Sequence, residues 1–179
     1  MSASLPASVD AERMVSGRRS FHGVMPVAEL PRLVGALAGD SGEVAYDLDF
    51  EQGELGDPEL HVRLAARLTL ECQRTLQPFE WPVEVDSRLG LLDSEEDAAA
   101  LPEQCEPLLL EHGTLQPRKV IEDELLLALP LVPLKPGSEI LEGDWNTPGQ
   151  APQDAERGEA VTHPFADLRK LLEDREKHR

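Results

Sequence analysis

Three stretches of strict alternation limit what this chain can fold into. In 43–50, Val44, Tyr46, Leu48 and Phe50 share one face, and Glu43, Asp47 and Asp49 the other. In 60–71, Leu60, Val62, Leu64, Ala66, Leu68 and Leu70 oppose His61, Arg63, Arg67, Thr69 and Glu71. In 79–86, Phe79, Trp81, Val83 and Val85 oppose Glu80, Glu84 and Asp86. Side chains of a strand point alternately to its two faces, so this period marks an antiparallel sheet covered on one side. Charge selects the register. Pairing Phe50 with Leu60 sets Leu48 against Val62 and Tyr46 against Leu64. On the wet face it sets Asp49 against His61, Asp47 against Arg63 and Glu43 against Arg67. Pairing Leu70 with Phe79 across the second hairpin sets Arg63 opposite Asp86. Each pair contributes only about 0.2–1 kcal/mol, but a slip of one residue would turn apolar faces against charged ones.

Around these strands the pattern predicts helices. Val27, Leu30, Val34 and Leu37 recur at helical spacing over 27–38, although Pro31 suits a start nearer itself. Residues 93–106 form an acidic connector, and Leu108, Leu109 and Leu110 suit a short edge strand. Pro117 opens a helix through Val120, Ile121, Leu125 and Leu129, and Pro130 and Pro133 force an extended exit. The 179 residues suffice for a core without disulfide staples. The expected fold is α+β: an antiparallel sheet of hairpins with helices packed on one face, over residues 1–134. A disordered acidic linker rich in Pro and Gly follows over 135–162. A C-terminal amphipathic helix is expected over 163–179, its apolar stripe formed by Phe165, Leu168, Leu171 and Leu172.

Charge narrows the function. The formal net charge of −18 repels phosphate backbones, so broad RNA contact is disfavoured, but charge alone names no partner. No apolar run approaches the roughly 20 residues of a membrane helix, and the N-terminus lacks the regions of a signal peptide. A cytoplasmic protein is expected.

Catalytic and metal chemistry lack a framework. Cys72, Cys105, His61, His112 and His163 show no ligand spacing, so no metal site and no cofactor are expected. Glu122-Asp123-Glu124 could be imagined around magnesium in a metal-dependent nuclease. Consecutive helical residues point in different directions, so a solvated helix face is the simpler reading. No nucleophile or nucleotide motif occurs, and the expectation is a protein that is not an enzyme. The candidate binding residues are Arg13, Arg18, Arg19 and Arg74 for RNA, with His22 beside the first three. Phe165, Leu168 and Leu172 of the terminal helix are candidates for docking, on a partner or on the chain's own sheet.

Three segments then carry a resemblance: Leu68 to Arg74 with Pro78-Phe79, Val120 to Pro133, and Pro164-Phe165-Ala166. In order and spacing they resemble the YceD family, the bacterial large ribosomal RNA subunit accumulation proteins, from about residue 19 to the C-terminus. The resemblance implies a cytoplasmic role in synthesis, processing or stability of 23S ribosomal RNA, and brings no catalytic residues. It implies as partner the ribosomal RNA processing machinery or a basic ribosomal protein. A direct RNA-binding module is the alternative, and a nuclease a weaker one. Many family members carry a second cysteine three after the first, and a histidine or cysteine after the Val-Pro segment. Here Thr75 and Lys135 stand at those places, so Cys72 is the remnant of a Cys-x-x-Cys pair.

Overall fold

The structure, a computed structural model, describes residues 5–53 and 56–138. The linker from residue 139 onward and the terminal helix, with Phe165, Leu168 and Leu172, lie outside the described residues.

The three alternating stretches form long strands: β3 (Glu43–Gln52), β4 (Pro58–Glu71) and β5 (Pro78–Leu92). They follow β1 (Val9–Asp10), α1 (Ala11–Ser16), β2 (Ser20–Pro26) and α2 (Pro31–Val34). After them come β6 (Glu106–Leu109), β7 (Thr114–Leu115) and α3 (Pro117–Ala128). The main sheet runs β2-β3-β4-β5-β6, while β1 pairs with β7 separately. The apolar face of the sheet carries α1 and α3, and α2 packs on α3. Val44, Leu48, Leu60, Val62, Leu68, Ile121 and Leu125 are fully buried between them.

The expected register holds. Phe50 pairs with Leu60, Tyr46 with Leu64, Asp47 with Arg63, Leu70 with Phe79, and Arg63 with Asp86. The ion pairs, however, run diagonally. Arg63 donates to Asp49 Oδ2 at 2.7 Å, and His61 Nε2 lies 2.6 Å from Asp86 Oδ1. Strand twist explains the exchange, because it swings long side chains toward the diagonal neighbour. The expected meeting of Glu43 with Arg67 does not occur. The β3–β4 ladder ends at Val44 and Ala66, Glu43 pairs with Pro26 of β2, and Arg67 lies 4.0 Å from Glu80.

Other differences have local causes. The helix expected over 27–38 is a 3₁₀ turn at Val27–Glu29 followed by the single turn of α2. Pro31 has no N–H to continue a helix and pushes Leu30 out of helical geometry, at φ −113° and ψ 79°. The edge strand β6 forms beside β5 as expected, but in parallel, because residues 93–105 carry the chain back first. Strand β2 escaped the alternation because Gly23 interrupts its inner face. Tyr46 claims that space: a Cβ at Gly23 would lie 2.7 Å from the Tyr46 hydroxyl.

That contact gives a test of the sheet. Gly23→Ala should destabilise the protein by about 1–3 kcal/mol, the usual cost of overpacking. The same change in a Tyr46→Phe background should cost clearly less, since the nearest atom is gone. Denaturant melts of the four proteins measure this, and equal costs in both backgrounds would disprove the packing argument.

Candidate functional site

The acids of α3 separate in space. Glu122 is buried, and its Oε1 accepts from the backbone N–H groups of Arg32 at 2.5 Å and Leu33 at 3.1 Å. It thereby satisfies N–H groups at the start of α2, which have no helical partner. Asp123 pairs with the Arg32 guanidinium. Glu124 is buried and accepts from the Ser87 hydroxyl at 2.7 Å. The three side chains do not converge, as expected, but the expected solvated face is corrected: two of the three are buried fold contacts. Burial pushes the Glu124 carboxyl up from its ordinary value, against the Ser87 bond and with help from the charges of Glu106 and Asp123. On the wet face the His61 hydrogen bond does the reverse to Asp86, holding its carboxyl below the usual range.

The proposed arginines fall in two places. Arg13, Arg18 and Arg19 flank the turn from α1 into β2, and all three are exposed. Arg74 sits in the β4–β5 turn. From Leu60, beside Phe50 and Arg19, the strand runs ten residues to Leu70, a span of about 33 Å. Arg74 is also committed, since it donates to the Ser138 carbonyl.

The β4–β5 turn is a second meeting point. Cys72 is fully buried. Its N–H donates to Gln77 O at 3.0 Å, and the Gln73 N–H donates to Pro133 O at 2.9 Å. The Lys135 N–H points at the Cys72 sulfur at 3.4 Å, and the Ser138 hydroxyl lies 3.7 Å from it. The Lys135 N–H, with the Thr75 hydroxyl and the Thr75 and Arg74 N–H groups, lowers the thiol to about 6 against the effect of burial. Cys105 is a contrast: burial, with the Glu59 carboxylate beside it, pushes its thiol up.

Sequence reasoning missed the exposure around this turn. Leu76, at φ 54°, is exposed at its tip. Leu127, Leu131, Val132 and Leu134, along the end of α3 and its exit, are exposed too. The left-handed backbone of Leu76, unusual for a bulky residue, gives no signal in the sequence.

Comparison with known proteins matches the chain to a family. The profile of the large ribosomal RNA subunit accumulation protein YceD matches residues 60–172. A relative of that same name from Haemophilus influenzae is 30% identical over 135 residues, which cover 73% of this chain and 75% of the relative. The chain belongs to the YceD family. No solved structure matches it.

Two of the segments that carry the resemblance, Leu68 to Arg74 and Val120 to Pro133, therefore meet at the β4–β5 turn, where the Gln73 N–H donates to Pro133 O. The resemblance implies a second thiol and a further ligand in many YceD proteins at the places of Thr75 and Lys135. The groups present here do not fit zinc. They are one thiolate, one neutral hydroxyl and a backbone N–H, and the second cysteine of the chain, Cys105, belongs to the Glu59 surroundings. Among the described residues no three His, Cys, Asp or Glu side chains are placed to share a metal.

Two measurements follow. The purified protein should carry no stoichiometric zinc, and a chelator should leave its melting temperature unchanged. Elemental analysis near one zinc per chain would refute this. For Glu124, the raised folded value means that stability is fully present below 4.5 and is lost as pH rises through that raised value. Glu124→Gln removes the loss while keeping an acceptor for Ser87. The variant should melt above the wild type at pH 7 and level with it near pH 4. An equal difference at both would contradict a titrating Glu124.

Proposed function

We propose that this chain acts in the accumulation of large-subunit ribosomal RNA, in the cytoplasm, as a binding factor and not as an enzyme. The subject comes from its YceD membership. The binding mode rests above all on one observation. The acids that most resembled a metal-dependent nuclease are each engaged elsewhere: Glu122 on α2, Asp123 on Arg32, Glu124 on Ser87. Moving Glu122 or Glu124 to a metal would break contacts that hold helix to helix and helix to sheet.

The partner we favour is a basic protein, a large-subunit ribosomal protein or a member of the ribosomal RNA processing machinery. A net charge of −18 steers such a partner in and disfavours wrong ones. The exposed Leu127, Leu131 and Val132 supply apolar area of the kind that interface cores use. Phe165, Leu168 and Leu172 are proposed as a further docking element on the same grounds of amphipathic pattern.

A tagged pull-down from cell lysate, with and without RNase, tests this. A large-subunit ribosomal or processing protein should be captured regardless of RNase, and Leu131→Asp with Val132→Asp should weaken the capture about tenfold or more. Magnesium should induce no RNA cleavage by the purified protein. Cleavage that disappears on replacing Glu122 or Glu124 would reverse the reading toward a nuclease.

A further inference from the structure

We propose that Arg13, Arg18 and Arg19 form a compact phosphate-contact surface that takes the backbone of an RNA strand. The proposal rests on the ribosomal RNA subject above and deepens it by naming where this acidic chain touches RNA.

The argument starts from which cations are already neutralised. Arg32, Arg63, Arg67, Arg88, Arg118 and Lys119 each lie within 4.0 Å of a carboxylate. Among the described residues, Arg13, Arg18 and Arg19 do not. Glu12 of α1 is a nearby exposed acid, while three other acids of the neighbourhood bond elsewhere. The Phe50 N–H donates to Arg19 O at 2.9 Å, which sets Arg19 alongside β3 between Asp49 and Glu51. Asp49 faces across the sheet to Arg63 at 2.7 Å, and Glu51 to Arg88 at 3.3 Å. Asp10, at the start of α1, spends its carboxylate on the Arg13 backbone N–H at 2.8 Å. Asp49 and Glu51, the β3 acids nearest Arg19 in the chain register, are thus paired with β4 and β5.

The local backbone holds the three residues together. The Gly17 N–H donates to Arg13 O at 3.2 Å, Arg18 N–H to Val15 O at 3.0 Å and Arg19 N–H to Met14 O at 3.0 Å. These bonds cover the carbonyls at the end of α1, which would otherwise repel an anion. Arg18 occupies the left-handed region at φ 45°, where glycine is the usual choice. The glycine stands one place earlier. A Cβ at Gly17 would lie 3.1 Å from Arg13 O and 3.3 Å from Arg19 Cγ, so its absence lets the Arg19 stem lie back over α1. Guanidinium forks match phosphate oxygens, and such contacts position a strand without reading its sequence. Arg74 is excluded from this surface by distance and by its bond to Ser138.

The test measures binding of a short fluorescent single-stranded RNA to the full chain across a salt series. Replacing Arg13, Arg18 and Arg19 by Ala should weaken binding about tenfold or more. It should also flatten the slope of log K against log salt by about 2, for three lost phosphate contacts on a single strand. The matching Lys triple should keep most of the slope, and Arg118→Ala should bind as wild type. Melting curves check the fold. If the Arg18 change unsettles the turn, the Arg13→Ala, Arg19→Ala pair alone should remove about two-thirds of that change in slope.

Four results would overturn the proposal: no salt-dependent binding by the wild type, an unchanged triple Ala variant, an Arg118→Ala loss as large as the triple's, or polyglutamate competing as well as RNA. The last would mark the corner as a site for acidic protein. RNase-resistant capture of a protein partner by the triple variant separates the two readings. Its persistence with RNA binding lost supports both, while its absence in the wild type strikes the protein-partner reading and leaves the RNA surface standing.

Discussion

The pairing of β4 with its two neighbours is the constraint on which the other contacts depend. A strand buried on one face has no tolerance for a slip of one residue, which would put Leu60, Val62 and Leu64 in water and Arg63 in the core. With that register set, the apolar face is the surface on which α3 must lie. The placement of α3 then brings Glu122 to the start of α2, Glu124 to Ser87, and the chain beyond it to the Cys72 turn. The contacts around α3 that look specific are consequences of one sheet register and one helix position.

This dependence explains why the two conspicuous acids of α3 are structural. A buried carboxylate without donors is costly, and each of these has them. Glu122 does for α2 what a capping side chain from within the helix would do. Leu30, at the N-cap position, offers no side-chain acceptor. The short helix therefore depends on α3 for its start as well as for its packing.

How much was legible follows from which signals are periodic. Strand identity and register were legible because alternation and charge agree over whole strands. The partner of Arg63 was not, because twist acts on side-chain direction and leaves no trace in spacing. Strand β2 was not, because its inner face trades a side chain for the ring of Tyr46 across the pair. The parallel direction of β6 was not, because an edge strand of three leucines carries no directional information. At the candidate site, Arg13, Arg18 and Arg19 were legible as a cluster and Arg74 as a turn residue. Their separation was not, since it depends on which end of a long hairpin each occupies. That two of the Glu122-Asp123-Glu124 acids are buried was equally hidden, because their partners Leu33 and Ser87 come from distant segments.

Net charge and local charge remain distinct quantities in this chain. Exposed charges are screened over about 8 Å at physiological salt, so the −18 total governs long-range approach and solubility more than contact at any one place. Contact is decided by which charges lack a neighbour. On the wet face of the sheet the Asp49–Arg63 and Glu51–Arg88 pairs cancel at close range. These pairs turn the Asp49 and Glu51 carboxylates toward β4 and β5. Arg19 stands opposite Phe50, so strand alternation already puts it on the other side of the sheet from the Asp49 and Glu51 carboxylates. Alternation and pairing together thus leave three arginines of an acidic protein, at one corner, without a carboxylate partner among the described residues.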